Sequence, residues 1–175
     1  SGPGATNLVT GLADAMIDST PVVCITGQVA SGLLGTDAFQ ETDIINISLP
    51  VTKWNVQVTR AADIPEAVAK AFHIARTGRP GPVLIDLTKD AQFEIAQYQY
   101  KKCVSIRTYH PRPSLNNVEL LRTADLINKA ERPYLLAGQG IILSAATDEL
   151  RCFAEKGGIP VASTLLGLSG FPSDH

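Results

Sequence analysis

A chain of 175 residues with 45% hydrophobic content can build one large or two small buried cores. Fifteen basic against 17 acidic residues leave a formal net charge of −2, without the basic excess of a nucleic-acid binder or an acidic tail. No apolar run approaches the roughly 20 residues that span a bilayer. Cys24, Cys103 and Cys152 are odd in number and too widely spaced for a local metal site, so they read as reduced packing thiols of an intracellular protein.

Residues 1–7, S-G-P-G-A-T-N, hold two glycines and a proline in a short span and read as a loop able to approach a ligand closely. A helix is expected from Thr6 and Asn7, burying Leu8, Leu12, Ala15 and Met16. Such a turn offers unpaired N–H groups and the positive end of a helix dipole to a phosphate or another polar cofactor group; a purely structural turn is the alternative. Residues 21–25 then form a buried parallel strand ended by Gly27, and the loop over residues 27–41 lies beyond its carboxyl end, where ligands gather in open α/β sheets. Residues 43–48 read as a short helix stopped by Pro50, and Trp54, Val56 and Val58 as an edge or half-buried strand.

The clearest helix starts with Asp63 and Glu66 as a capping box. It buries Ile64, Ala67, Val68, Ala71, Phe72 and Ala75, ends at Gly78, and leaves His73 solvated. Residues 79–82 make a rigid turn and residues 83–87 a buried strand, completing a parallel βαβ unit. The proline-bearing polar stretch with Tyr98, Tyr100, Lys101, Lys102, Arg107, Tyr109 and His110 reads as a linker over residues 98–115, and its basic and aromatic residues have no support elsewhere as a nucleic-acid patch. A second α/β unit follows. Leu120, Leu121, Ala124 and Ile127 give a helical face and residues 133–137 a strand. After the turn Gly138-Gln139-Gly140, a helix capped by Ser144 carries Leu150, Phe153 and Ala154 to Gly157 and Gly158, and residues 159–162 start the next strand. Leu143 replaces the third glycine of a dinucleotide fingerprint, so the turn alone does not distinguish a ligand loop from a tight connection.

The strings S-G-P-G-A-T-N, T-G-Q-V and G-T-D-A-F-Q-E within residues 1–41 closely resemble the pyrimidine-binding domain of the large catalytic subunit of acetolactate synthase (acetohydroxyacid synthase), a thiamine-diphosphate enzyme family. The resemblance implies an α/β fold with two Rossmann-like parallel-sheet domains. Residues 1–97 would be the C-terminal part of the pyrimidine-binding domain, and residues 116–175 the N-terminal part of a central FAD-binding domain, truncated. The chain opens inside a motif and without methionine, so it is expected to be an internal piece of a longer polypeptide.

The family joins two pyruvates to 2-acetolactate with loss of CO2, or pyruvate and 2-ketobutyrate to acetohydroxybutyrate, at the first common step of branched-chain amino-acid synthesis. The cofactors implied are thiamine diphosphate, Mg²⁺ and FAD. Phe39, Gln40 and Lys89 resemble residues of the substrate channel, where a lysine favours an anionic 2-ketoacid. Arg79, Gly138, Gln139, Gly140, Thr164 and Leu165 match positions that contact FAD, and Gly2, Pro3 and Gly4 would lie near thiamine diphosphate. Solvated charge at strand ends is the bland alternative for Arg79 and Lys89. Ala30 departs from a proline common in the family, and Leu166 from a polar residue of some relatives.

The family's activating glutamate is expected upstream and its Mg²⁺ motif downstream, so these residues alone are expected to be inactive and to hold no metal. A second catalytic subunit and a small regulatory subunit are the implied partners, with 2-ketoacids as ligands and neither nucleic acid nor membrane. A bacterial cytoplasm is the expected location, or a plastid or mitochondrion in a eukaryote. Pyruvate oxidase, glyoxylate carboligase or a non-catalytic nucleotide-binding module are the competing readings.

Overall fold

The computed structural model describes residues 1–100 and 102–175; Lys101 of the expected linker lies outside them. The described chain divides into two units, Ser1–Pro113 and Ser114–His175.

In the first unit, β3 (Val83–Thr88) is the central strand, flanked in parallel by β1 (Val23–Gln28) and β2 (Trp54–Val58). Side chains alternate across a pleated strand, and β3 uses both faces. Val83 and Ile85 join the core under α4 (Ile64–Arg76), with Ala67, Ala71, Ile74 and Ala75. Leu84 faces the opposite layer, with Ala5, Leu12 and Ile44 from α1 (Pro3–Thr6), α2 (Leu8–Ile17) and α3 (Ile44–Ser48). Helices therefore cover both faces of β3, which accounts for its near-continuous apolar sequence.

Several expectations need correction. Residues 1–7 are helical in part: Pro3 sits in the first turn of α1, where its fixed φ and missing N–H cost nothing, and Gly2 takes the preceding position at φ 48°. Neither Thr6 nor Asn7 caps α2; Thr6 Oγ1 instead donates to the Pro3 carbonyl. β1 runs past Gly27 to Gln28 and lies at the edge of the three strands, leaving Ile25 exposed. The expected capping box is absent because a 3₁₀ turn, Ala61–Asp63, runs straight into α4. Asp63 is already in the helical region and its side chain caps nothing. Phe72 is 57% exposed and lines a cavity of about 610 Å³, with His73 and Tyr98, instead of packing on the sheet. His73 is half-buried, edge-on to Tyr109 with ring centroids 6.2 Å apart. By contrast, Asp43 caps α3 by accepting from the Asn46 amide, and Leu49–Val51, which contains Pro50, follows that helix.

Within residues 98–115, Ile106 and Tyr109 pack against the α4 core. The half-buried ammonium of Lys53 donates to the Ile74 and Thr77 carbonyls and to the Tyr109 hydroxyl, which in turn donates to Thr77 O at 2.7 Å. The orphan carbonyls at the end of α4 are thus satisfied by a lysine and a tyrosine from outside the helix.

The second unit holds α6 (Asn117–Lys129), β4 (Leu135–Ala137), α7 (Gly140–Leu143), α8 (Thr147–Gly157) and β5 (Val161–Ser163), with β4 and β5 parallel. Asn116 caps α6, but the expected apolar face is open to solvent, with Leu120 52% and Leu121 73% exposed. The helix expected from Ser144 is two pieces. Ser144 closes α7 by donating to the Gly140 carbonyl, α8 starts after Ala146, and Phe153 on it is exposed. Gly158, at φ 60°, ends α8 in the left-handed conformation as expected.

Candidate functional site

The carboxyl ends of β1 and β3 meet over a buried polar cluster. Asp86, fully buried on β3, accepts from Thr26 Oγ1 at 2.7 Å, Gln57 Nε2 at 3.1 Å and Gln28 Nε2 at 3.2 Å. Gln28 also donates to the Thr42 carbonyl at 2.7 Å, and its Oε1 accepts the Val29 amide at 2.9 Å. Both ends of the loop over residues 29–42 are therefore tied through one glutamine to the centre of the sheet. A buried polar group is costly unless its bonds are made, and here every described one has a partner.

Two further carboxylates shape that loop. Asp90, in the first turn of α5 (Lys89–Phe93), accepts from both the amide and the hydroxyl of Ser31. The Ser31 hydroxyl and then that of Thr88 hold the Asp90 carboxyl well below the usual carboxylate range. Glu41 folds back onto its own loop, accepting from the amides of Gly35, Thr36 at 3.2 Å and Ala38 at 3.0 Å. Those amides, Gly35 foremost, lower its pKa. Gly35, Asp37 and Gln40 all adopt positive φ, which lets the chain close this tightly.

On that loop Phe39 is 90% exposed and Gln40 is exposed with φ 64°. Gly2 lies against Gln40: a Cβ on Gly2 would come within 2.6 Å of the Gln40 carbonyl oxygen. Pro3 and Gly4, both exposed, follow it. The amides expected to be open to a phosphate are used within the turn itself: Gly4 donates to Ser1 O, Ala5 and Thr6 to Gly2 O, and Asn7 to Pro3 O. Lys89 is exposed at the start of α5, and its amide bonds the Val29 carbonyl at 3.4 Å, next to the Ser31–Asp90 tie. A cation at a helix N-terminus opposes the dipole, and Asp90 beside it offsets that. Arg79 is exposed, with Nε donating to Ser19 Oγ at 2.8 Å and Nη2 to the Ile17 carbonyl at 3.0 Å, so it closes the end of α2.

In the second unit the carboxyl ends of both strands form one loop cluster. Gly138, Gln139 and Gly140 leave β4, while Thr164 and Leu165 leave β5. The Thr164 amide donates to the Ala137 carbonyl at 2.9 Å. A Cβ on Gly138 would stand 3.8 Å from Thr164 Oγ1, and one on Gly140 would meet open space. Leu165 is 82% exposed. Gly167, which sequence reading passed over, is buried where a Cβ would lie 2.6 Å from the Ala137 carbonyl oxygen and 3.0 Å from Gly138 Cα. The only hint of it was a glycine shortly after a strand. Asp86, Glu41 and Asp90 were also missed. Among the described residues no group of three or more His, Cys, Asp or Glu could hold a metal ion, and no helix is long and apolar enough to cross a membrane.

Comparison with known proteins bears on this arrangement. Residues 1–47 match the family model described as thiamine pyrophosphate enzyme, N-terminal TPP binding domain. Residues 120–175 match thiamine pyrophosphate enzyme, central domain. The whole chain is 52% identical to the acetolactate synthase large subunit of Corynebacterium glutamicum, of which it covers 28%. Over 99% of its length it is 50% identical to the chloroplastic acetolactate synthase 2 of Nicotiana tabacum, of which it covers 26%. An X-ray structure from Mycobacterium smegmatis, provisionally described as a thiamin diphosphate-dependent enzyme, aligns over 98% of the chain and 33% of its own. The TM-score is 0.77 and the identity 27%. The chain thus spans between a quarter and a third of the length of these proteins.

Proposed function

This chain belongs to the thiamine pyrophosphate enzymes, and from that membership we propose that the polypeptide containing it is the large subunit of an acetolactate synthase. That enzyme joins two pyruvates to 2-acetolactate with loss of CO2, or pyruvate to 2-ketobutyrate, and so serves branched-chain amino-acid synthesis. The observation that carries this reading is identity of about half over the full chain with proteins of that name. Pyruvate oxidase and glyoxylate carboligase, which the same cofactor would permit, are the competing readings.

Thiamine diphosphate, with Mg²⁺, would supply an electron sink for the carbanion left by decarboxylation. Residues of this chain would bind and orient substrate. Phe39 offers an exposed apolar ring and Gln40 an amide on a loop tied at both ends, while Lys89 brings positive charge to an anionic 2-ketoacid. Gly2, Pro3 and Gly4 would shape the wall beside Gln40, where the absence of a side chain at Gly2 permits close approach. In the second unit Gly138, Gln139, Gly140, Thr164 and Leu165 would hold FAD. The open space at Gly140 and the glycine-to-glycine packing of Gly138 and Gly167 suit a ligand lying close to backbone. Arg79, whose guanidinium holds the end of α2, is the position to which the family resemblance would assign an FAD contact.

A second catalytic subunit and a small regulatory subunit would be its partners, in a bacterial cytoplasm or a eukaryotic plastid or mitochondrion. The residues of this chain alone would not catalyse the reaction. The test is acetolactate formation from pyruvate by the complete polypeptide, leaving out thiamine diphosphate, Mg²⁺ and FAD in turn. A requirement for all three without net flavin reduction is expected. Peroxide with bleaching of the flavin would move the protein to the oxidase branch, and independence from thiamine diphosphate would overturn the reading.

A further inference from the structure

The loop over residues 35–41 leaves Phe39 90% exposed, so core packing does not decide where that ring points. Within the loop, its own amides are gathered by the carboxylate of Glu41. Glu41 gathers the amides of Gly35, Thr36 and Ala38, while the Glu41 amide itself donates to the Ala38 carbonyl at 2.8 Å. The ring so formed encloses Asp37 at φ 57° and has Gln40 on its rim at φ 64°. Left-handed dihedrals at non-glycine residues are costly and persist only where surrounding bonds hold them. A carboxylate that bonds three amides at once supplies that hold.

We propose that Glu41 is a positioning residue: its carboxylate, closed on the amides of Gly35, Thr36 and Ala38, sets the presentation of Phe39 and Gln40 and thereby the binding of the 2-ketoacid. The part concerning 2-ketoacid rests on the function proposed above; the part concerning the loop stands on geometry alone. Asp cannot replace Glu here, because one methylene less withdraws the carboxylate from amides three to six residues away. Gln cannot replace it either, because its NH2 group would face one of the N–H donors.

The experiment uses the full-length polypeptide with Glu41→Gln and Glu41→Asp, together with Phe39→Ala and Gln40→Ala made singly and in combination with Glu41→Gln. Amide hydrogen exchange at Gly35, Thr36 and Ala38 is expected to accelerate in both Glu41 variants while the strands stay protected. Pyruvate KM is expected to rise about tenfold with a smaller change in kcat, since misplacement of binding groups weakens capture. In each cycle, Glu41→Gln is expected to add little to a chain already lacking the Phe39 or the Gln40 side chain, because it acts through them. Unchanged exchange at the three amides, an unchanged KM, or full additivity in either cycle would each overturn the proposal. A wild-type polypeptide that makes no acetolactate would instead overturn the functional reading, and the exchange measurement would still decide whether Glu41 holds the loop.

Discussion

Gly2 and Gln40 touch backbone to backbone: there is no room between them for a single methyl group, and both residues take positive φ. The N-terminal turn and the loop that carries Phe39 are thereby one surface. Gly2→Ala combines a strained dihedral with a 2.6 Å contact to the Gln40 carbonyl oxygen. The expected cost is about 1–3 kcal/mol. A lowered thermal midpoint, with faster proteolysis of residues 1–7 or 38–42, would show it; an unchanged midpoint would show that the two segments part freely.

Asp86 bonds three side chains from two neighbouring strands without exposure to water. Asp86→Ala would strand the donors of Thr26, Gln28 and Gln57 and release the tie between Gln28 and the loop. An expected loss of about 2–4 kcal/mol should appear in denaturant unfolding as a lower midpoint. Asp86→Asn, which keeps one acceptor oxygen, should fall between the two.

Acid should open the site loop before it unfolds the sheet. Glu41 and Asp90 both have folded pKa values below their ordinary 4.5 and 3.8. A depressed carboxylate contributes stability that is full above its unfolded value and is lost as pH falls through the folded one. The ties to Gly35 and Ser31 are therefore expected to weaken progressively below those ordinary values. Pepsin cleavage near Leu33 and Phe39 should rise as pH is lowered through this window, and a flat cleavage rate would contradict it.

Ala30 has φ −59°, a value proline itself prefers. Ala30→Pro should raise stability by about 0.4–1 kcal/mol through the unfolded chain, read as a higher thermal midpoint. A fall would mean that the amide or the preceding residue resists the ring.

Gly167→Ala should separate the loops after β4 and β5, because its Cβ would stand 2.6 Å from the Ala137 carbonyl oxygen. With FAD bound as proposed, weaker flavin retention by the full-length polypeptide, measured by visible absorbance after gel filtration, is the expected outcome. Gly140→Ala, with open space around it, should fold normally and affect only bound ligand.

What could be read in the sequence follows the strength of each local signal. β3 was legible because a strand covered on both faces is apolar almost throughout, Asp86 excepted, and α4 because Ala67, Ala71 and Ala75 repeat with the helical period. The same period misled at Phe72 and along α6. An apolar stripe declares a face able to be buried, not what covers it, and Leu120 and Leu121 are exposed. The cap at Asp63 failed because a preceding turn put it in helical conformation. At the site, motif strings drew attention to Phe39 and Gln40, but their supports were hidden. Asp90 meets Ser31 across 59 positions, and Asp86 meets Gln28 across 58. No local pattern announces such pairs.

The Lys53 clasp on Tyr109 bears on where this polypeptide can be cut. A first unit ended at residue 97, before the basic and aromatic stretch, would lose the Tyr109 ring and hydroxyl and leave a half-buried ammonium with only the Ile74 and Thr77 carbonyls. Ended after Pro113, it would keep the clasp and the packing of Ile106. The two truncations differ by sixteen residues whose described members hold little regular structure, yet only the longer one retains the tyrosine's part in closing α4.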